Sequence, residues 1–173
     1  MDLIVIGETS AGSAVTTVYR NDGGRLELVP SNMANVLFGD LALGDYDLDG
    51  DLDVAHNGFW VEQVDSTTWV SHTIDTNWAG DVGVLIADVD GNGDPDVVLA
   101  PSESSGRMSW YSASDPVNGP WTEHPIDPSV SYMHTFKAGD IDLDGDLDLV
   151  TAEMHQSSDP DEVSVYRNDG DAL

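Results

Sequence analysis

Oxygen-bearing side chains are crowded into three nine-residue segments: the first loop (residues 45–53), the second loop (88–96) and the third loop (140–148). Each loop places aspartate or asparagine at positions 1, 3, 5 and 9, aspartate at position 7 and glycine at position 6. Carboxylates this close repel one another by about 1–4 kcal/mol per pair at about 4 Å, depending on the local dielectric constant. A chain that repeats this crowding three times is expected to fold around cations. Calcium, a hard ion that takes about six to eight oxygen ligands, suits these donors best.

The position of a residue in the loop predicts its role. Positions 1, 3, 5 and 9 are expected to supply side-chain oxygens, and position 7 its backbone carbonyl, with the side chain toward solvent. The glycine permits the tight turn. The predicted residues of about three calcium sites are Asp45, Asp47, Asp49, Asp51 and Asp53; Asp88, Asp90, Asn92, Asp94 and Asp96; and Asp140, Asp142, Asp144, Asp146 and Asp148. The alternative is three solvated acidic turns; bound calcium would be structural, because its binding energy adds to the free energy of folding.

The charge balance narrows the range of partners. The chain has 33 acidic and 5 basic residues, a formal net charge of −28. This argues against a nucleic acid or an anionic membrane surface as partner, because both need a basic footprint. A disordered acidic tail is also disfavoured, since 40% of the residues are hydrophobic and they fall in runs of strand length.

The calcium loops predict the cellular compartment, which the absence of cysteine does not fix. Cysteine is absent, which excludes a disulfide scaffold and a thiolate metal site. Weak calcium loops operate at millimolar calcium, so we expect an extracellular, cell-surface or periplasmic protein. Residues 1–7 lack the features of a signal peptide, and no apolar run approaches the ~20 residues of a membrane span, so no direct membrane insertion is expected.

An internal repeat accompanies the loops. The aspartates at position 9 lie 43 and 52 residues apart, and Val18–Gly23 recurs as Val165–Gly170. Each unit divides into four short strands, and no segment keeps a helical apolar stripe. Units of about 45 to 50 residues without helices predict an all-β fold of four-stranded antiparallel propeller blades. A β-sandwich is the alternative, which the fixed period disfavours.

The blade count predicts a single partial propeller of about three to four blades, the outer ones incomplete. We expect a partial blade over 1–36, blades over 37–80 and 81–130, and a partial blade over 131–173. Typical propellers have about 4 to 8 blades. The chain is therefore expected to be truncated and to need the remaining blades of its parent, or self-association, to close, because an open arc exposes strand edges.

The stretch from Phe38-Gly39-Asp40 through Gly44 to Val54 resembles an FG-GAP/VCBS repeat, the calcium-loop blade of integrin α-subunit propellers and of many secreted bacterial proteins. The resemblance covers essentially the whole chain through the three loops. It implies a seven-bladed propeller in the parent protein, with calcium between the first and second strands of a blade. Only the first loop has the Phe-Gly lead-in, and Asn92 replaces an aspartate, which should weaken the second site modestly.

One other group of residues could carry chemistry. His134 is predicted at the start of an inner strand, and Glu153 and His155 at the end of the strand that follows the third loop. A tight hairpin would bring the three together opposite the calcium loop, where they could bind a transition metal or exchange protons. The alternatives are a polar channel lining or a contact with a sugar or a partner.

Tryptophan and histidine recur together in the outer strands. These pairs are predicted to pack between blades: Trp69 with His72, and Trp121 with His124. Three further tryptophans could stack on sugars, although burial between blades is the usual fate of so large a side chain: Trp60, Trp78 and Trp110.

These features predict a calcium-stabilised module that binds or adheres to a protein or carbohydrate ligand and is not itself an enzyme. The alternative is the propeller of a carbohydrate-active enzyme, similar to the rhamnogalacturonan lyase family, with a site near His134, Glu153 and His155. A purely structural repeat of a multidomain surface protein is the third possibility. The sequence does not identify the ligand.

Overall fold

Every regular element of the structure, a computed structural model, is a β-strand. It describes residues 3–8, 10, 14–30, 32–33, 39–78, 80–155 and 162–170. Within these residues no helix has the length and apolarity needed to cross a membrane. The strands are β1 (Leu3–Glu8), β2 (Ala14–Asp22), β3 (Arg25–Val29), β4 (Ala42–Gly44), β5 (Asp53–His56), β6 (Phe59–Gln63), β7 (Trp69–Thr73), β8 (Val82–Ala87), β9 (Asp96–Pro101), β10 (Ser105–Ser112), β11 (Thr122–Ser131), β12 (Met133–Gly139), β13 (Asp148–Glu153) and β14 (Val163–Tyr166).

The strands form four antiparallel sheets in which sequence neighbours pair. Sheet 1 contains β1–β3, sheet 2 contains β4–β7, sheet 3 contains β8–β11 and sheet 4 contains β12–β14. Among the described residues, two four-stranded sheets are thus flanked by two three-stranded ones. The prediction of an all-β chain of antiparallel, propeller-like blades is confirmed, whereas the prediction that the outer blades are incomplete stays a prediction.

The sheets pack face to face through three separate cores. Strand β9 shows why, because all six of its residues are buried and alternate side chains enter different cores. Val97 and Leu99 pack with residues of sheet 2, whereas Val98 and Ala100 pack with residues of sheet 4. A third core joins sheet 1 to sheet 2. Strands covered on both faces are apolar on both faces, which explains the continuous hydrophobic runs beside the loops.

The first strands of successive sheets lie against one another, since β8 contacts both β4 and β12. Glycine allows this approach. A Cβ added to Gly44 would lie 2.1 Å from Cδ1 of Ile86, and one added to Gly83 would lie 2.5 Å from Cε1 of Phe136. This close packing of inner strands is the arrangement of blades around a propeller axis.

A tyrosine–aspartate hydrogen bond crosses two of the sheet interfaces. The Tyr111 hydroxyl donates to Oδ2 of Asp75 at 2.9 Å, and the Tyr166 hydroxyl donates to Oδ2 of Asp127 at 2.9 Å. Both aspartates end the repeated Trp-x-x-His-x-Ile-Asp segment. The last residue of that repeat therefore anchors the next sheet.

The hairpin of β10 and β11 is longer than the sequence predicts. It continues to the pair Ser105 and Ser131, whose hydroxyls lie 2.9 Å apart, and contains two irregularities near Met108. Prolines within β11 hid the extension from sequence reading, but an outer strand tolerates proline because one of its edges needs no ladder hydrogen bonds. Phe38, part of the predicted lead-in to the first loop, lies outside the described residues.

Candidate metal centres

Each acidic loop joins the first and second strands of a sheet. In every loop the residue immediately before position 1 pairs with the aspartate at position 9. These pairs are Gly44 with Asp53, Ala87 with Asp96, and Gly139 with Asp148. The hairpin therefore closes each loop into a ring, and its acidic side chains have little room to separate.

Carboxylates at positions 1, 3 and 9 converge in all three loops. In each group the ligand oxygens lie within 4.8 Å of one another, and such a group could hold a metal ion: Asp45, Asp47 and Asp53; Asp88, Asp90 and Asp96; Asp140, Asp142 and Asp148. A fourth group, Asp142, Asp144 and Asp169, overlaps the third loop. Of the predicted ligands, those at positions 1, 3 and 9 are thus brought together.

Positions 5 and 7 shape the turn by a different set of contacts. The side-chain oxygen of position 5 accepts a hydrogen bond from the backbone N–H of position 7 in every loop: Asp49 Oδ1 from Asp51 at 2.9 Å, Asn92 Oδ1 from Asp94 at 2.6 Å, and Asp144 Oδ1 from Asp146 at 3.0 Å. The side-chain oxygen of asparagine accepts this hydrogen bond as the aspartate oxygens do. The roles predicted for positions 5 and 7 toward an ion stay predictions.

The aspartate at position 9 is the anchor of the loop. One of its oxygens accepts the backbone N–H of position 2: Tyr46 to Asp53 at 3.0 Å, Val89 to Asp96 at 2.8 Å, and Ile141 to Asp148 at 2.9 Å. In two loops the other oxygen accepts an N–H from the third strand or the residues after it: Gln63 to Asp53 at 2.8 Å and Asn168 to Asp148 at 3.0 Å. These bonds fix a fully buried carboxylate toward the ring of the loop.

The carboxylates of the position 1 aspartates show whether the loops suit a cation. One oxygen of each accepts the N–H of the position 6 glycine, at 3.0, 3.0 and 3.2 Å along the chain. The remaining Oδ1 atoms of Asp88 and Asp140 are buried and have no hydrogen-bond partner among the described residues. A buried carboxylate oxygen without a donor is costly. An oxygen-seeking cation would satisfy both atoms, so the donor set fits such an ion.

Asn168 connects two of the loops. Its backbone N–H bonds to Asp148 of the third loop, and its side-chain Nδ2 donates to the backbone oxygen of Val89, in the second loop, at 2.8 Å. The side chain is almost completely buried. The second and third loops are therefore held in a fixed relation across the interface of sheets 3 and 4.

Two positions of each loop require a left-handed backbone. The glycines at position 6 have φ of 100°, 96° and 108°. Position 4 has φ of 62° at Leu48 and 66° at Leu143, and is glycine in the second loop, where Gly91 has φ of 70°. Sequence reading missed position 4, although Gly91 was a signal. A leucine in this region is strained by about 1 kcal/mol or more.

Leu143→Asn should therefore stabilise the protein by about 0.5–1 kcal/mol, because asparagine tolerates positive φ. Leu143 is 85% exposed, so little packing is lost. The measurement is the midpoint of guanidinium unfolding, with Ile141→Asn, at position 2 of the same loop, as control. A midpoint for Leu143→Asn below that of the parent would show that position 4 carries no relievable strain.

Burial affects the ionisation of two position 9 carboxyls. Desolvation raises the pKa of Asp53 to about 6 and that of Asp96 to about 7, and the nearby aspartates of each loop add to the increase. Asp148 differs, because hydrogen bonds from the Asn168 and Ile141 N–H groups hold its pKa below the usual range.

The metal-free protein should consequently lose stability as pH rises from about 5 to about 7.5. An unfolded aspartate titrates near pH 3.9, so in this window the folded state binds protons that the unfolded state has lost, and the free energy of unfolding falls with increasing pH. Urea unfolding in metal-free buffers across this pH range measures the free energy of unfolding. The double variant Asp53→Asn/Asp96→Asn should flatten the profile; a parent profile that is flat or rises would contradict the expectation.

The predicted group of His134, Glu153 and His155 is not brought together. His134 Nε2 lies 2.7 Å from Oε1 of Glu103, in the turn between β9 and β10, and lines a cavity of about 210 Å³ with Asp40 and Asp81. Glu153 lines a different cavity of about 310 Å³.

A strand irregularity explains the separation. Met133 pairs with Glu153 and Thr135 with Ala152, so His134 is an extra residue that opposes none in β13. His155 lies beyond the end of β13 and is exposed. Among the described residues, the four groups that could hold a metal consist of aspartates alone, and this trio is not one of them. The hypothesis of an enzyme site near His134, Glu153 and His155 therefore gains no geometric support.

The recurring histidines stack within a sheet instead of packing between sheets. His72 pairs across strands with Trp60, and their ring centroids lie 4.5 Å apart; His124 pairs with Trp110 at 3.8 Å. Both tryptophans are buried in the cores between sheets. They are accordingly core residues and present no face to a sugar.

Trp78 is half-buried and carries the Arg107 guanidinium 4.5 Å from its ring centroid, while its Nε1 donates to the Tyr111 hydroxyl at 2.8 Å. Trp69 belongs to the core between sheets 1 and 2, and Trp121 lies against the core between sheets 2 and 3. The three tryptophans considered for stacking on sugars, Trp60, Trp78 and Trp110, thus have partners within the fold.

Comparison with known proteins gives one match. A family model described as an FG-GAP-like repeat matches residues 88–151, from the start of the second loop to just past the end of the third. No curated protein and no solved structure matches the chain. The matched segment contains two of the three converging carboxylate groups.

Proposed function

Since this chain carries an FG-GAP-like repeat, we propose that it is a propeller-type module whose three acidic loops each hold a structural calcium ion. The observation that carries the proposal is the convergence of three carboxylates in every loop, together with the buried oxygens of Asp88 and Asp140 that have no partner in the described part of the chain. Aspartates at positions 1, 3 and 9 would hold the ion. Side chains at position 5 and the backbone carbonyl at position 7 would complete the set.

Calcium is favoured over other ions by the donors. They are oxygens throughout, which disfavours the transition metals that select imidazole or thiolate. Each ring offers several carboxylates from one short, irregular loop, and calcium accepts such variable geometry more readily than magnesium does. Bound calcium would supply positive charge that offsets the repulsion among the carboxylates, and its binding energy would add to the free energy of folding.

We further propose that the module binds a protein or carbohydrate ligand outside the cell or in the periplasm. Low-affinity loops need the millimolar calcium of such compartments. The acidic surface supports a ligand that is neutral or basic: with three calcium ions the formal charge of −28 becomes −22. Closure of the blades would come from further blades of a longer protein or from self-association.

Titration calorimetry of the metal-free chain tests the calcium proposal. We expect three calcium ions per chain, and two after Asp88→Asn/Asp90→Asn, which removes two ligands of the second loop. Glu27→Gln, an exposed carboxylate outside the loops, is the matched control and should leave three. Magnesium should not saturate the same sites. Calcium binding that is undetectable, or unchanged by the loop variant, would refute the proposal.

Glycan and protein arrays probed with the calcium-loaded chain test the binding role. Saturable binding that is lost in EDTA would support it. The absence of any ligand on both arrays would favour a purely structural repeat.

A further inference from the structure

The first and third loops have almost the same sequence but different electrostatic neighbours. They differ only at position 2, where Tyr46 in one corresponds to Ile141 in the other. All five aspartates recur in both loops. Because the ligand positions match, we expect a difference in their affinity for an ion to come from residues outside the loops.

Strand register identifies the neighbouring position. The residue after each position 9 aspartate pairs with a third-strand residue: Val54 with Val61, Val97 with Tyr111, and Leu149 with Tyr166. The next residue along the third strand is the equivalent site in all three sheets: Glu62, Ser112 and Arg167. The N–H groups of Gln63 and Asn168, one residue further on, both bond to the position 9 aspartate, which confirms that the first and third sites correspond.

The charges at this site reach the position 3 aspartate of the loop. Arg167 forms an ion pair with Asp142, through Nη2 and Oδ2, and its Nε lies 3.3 Å from Oδ1 of Asp169. In the first loop the equivalent Glu62 lies near enough for its negative charge to act on Asp47, and its Oε2 lies 2.7 Å from Nε2 of His72. One loop thus has an added negative charge beside its carboxylates, and the other has a positive one.

We propose that this third-strand residue sets the order of ion affinity, with the first loop binding calcium tightly and the third loop weakly. The inference rests on the proposed calcium function. Arg167 acts as a built-in competitor: the ion at the third loop must displace its guanidinium from Asp142. Displacement also frees Asp169, which belongs to the fourth carboxylate group with Asp142 and Asp144. The third loop then empties before the first loop as calcium falls.

The test is a calcium titration of the whole chain followed by NMR, with the amide signals of Gly50 and Gly145 reporting the first and third loops separately. We expect Gly50 to respond at about tenfold lower calcium than Gly145, as a difference of two unit charges in a partly solvated site implies. Arg167→Ser should tighten the third loop about fivefold, and Arg167→Lys should not. Glu62→Gln should weaken the first loop about threefold.

Arg20→Ser is the matched control, because Arg20 lies in the same Tyr-Arg-Asn-Asp-Gly motif in sheet 1. It should change neither signal. Arg167 is 60% exposed, so its variants are expected to fold. Gly50 and Gly145 responding at equal calcium, with Arg167→Ser unchanged, would overturn the inference and leave the calcium function standing. No response at either glycine would overturn both.

Discussion

Asp53→Ala should lower the free energy of unfolding by about 3 kcal/mol without calcium, and by more when calcium is present. Asp53 is completely buried, and its two oxygens accept the N–H groups of Tyr46 and Gln63. Each hydrogen bond to a charged group contributes about 1.5–3 kcal/mol, and alanine would leave both donors unpaired. Alanine also removes the cost of burying a carboxylate, and this gain offsets part of the lost free energy of unfolding. In calcium, the variant also loses a ligand of the first loop.

The matched control is Asp51→Ala, two residues earlier in the same loop. Asp51 is exposed, and its proposed contribution to the ion is a backbone carbonyl that alanine retains. We expect a change below about 0.5 kcal/mol by guanidinium unfolding, and calcium stoichiometry equal to that of the parent. Equal effects of the two substitutions would contradict the different roles given to positions 7 and 9.

Trp60→Ala should destabilise the protein by about 4 kcal/mol, because it removes the largest completely buried side chain and opens a cavity between sheets 2 and 3. The ring stacks on His72 and lies 5.6 Å from the ring centroid of Tyr46. Trp60→Phe keeps much of the volume and should cost less, about 1–2 kcal/mol. The free energy of unfolding in denaturant is the measurement.

Val163→Ala provides the comparison for this substitution. Val163 is 74% exposed on β14, so its truncation should change stability by less than about 0.5 kcal/mol. A loss for Trp60→Ala no larger than that for Val163→Ala would show that the core between sheets 2 and 3 does not hold the blades together.

The sequence was sufficient for the features that depend on local chemistry. Aspartates at alternate positions closed by a glycine and a strand predicted the converging rings, and the repeat period predicted the blades. The pairing of the second strand with its neighbours begins at the position 9 aspartate, which is recognisable in the sequence because an apolar run follows it. Local spacing and local charge decide all of these features.

Features that depend on long-range packing were not predictable in the same way. The anchoring of Asp75 to Tyr111 joins residues far apart in sequence. His134 was displaced from Glu153 by one extra residue in a strand, a change that periodicity does not reveal. The contrast between the first and third loops lies in Glu62 and Arg167, outside two otherwise matching sequences. Contacts between residues far apart in sequence, not loop composition, decide these cases.

Thermal unfolding followed by circular dichroism, in EDTA and in about 5 mM calcium with magnesium as control, tests the central claim most directly. One site saturated a hundredfold over its dissociation constant stabilises the folded state by about 2.7 kcal/mol, and three such sites should raise the melting temperature by more than about 10 °C. Magnesium should give a much smaller rise. Melting temperatures that are equal in EDTA and calcium would contradict the claim that the three acidic loops are structural calcium sites.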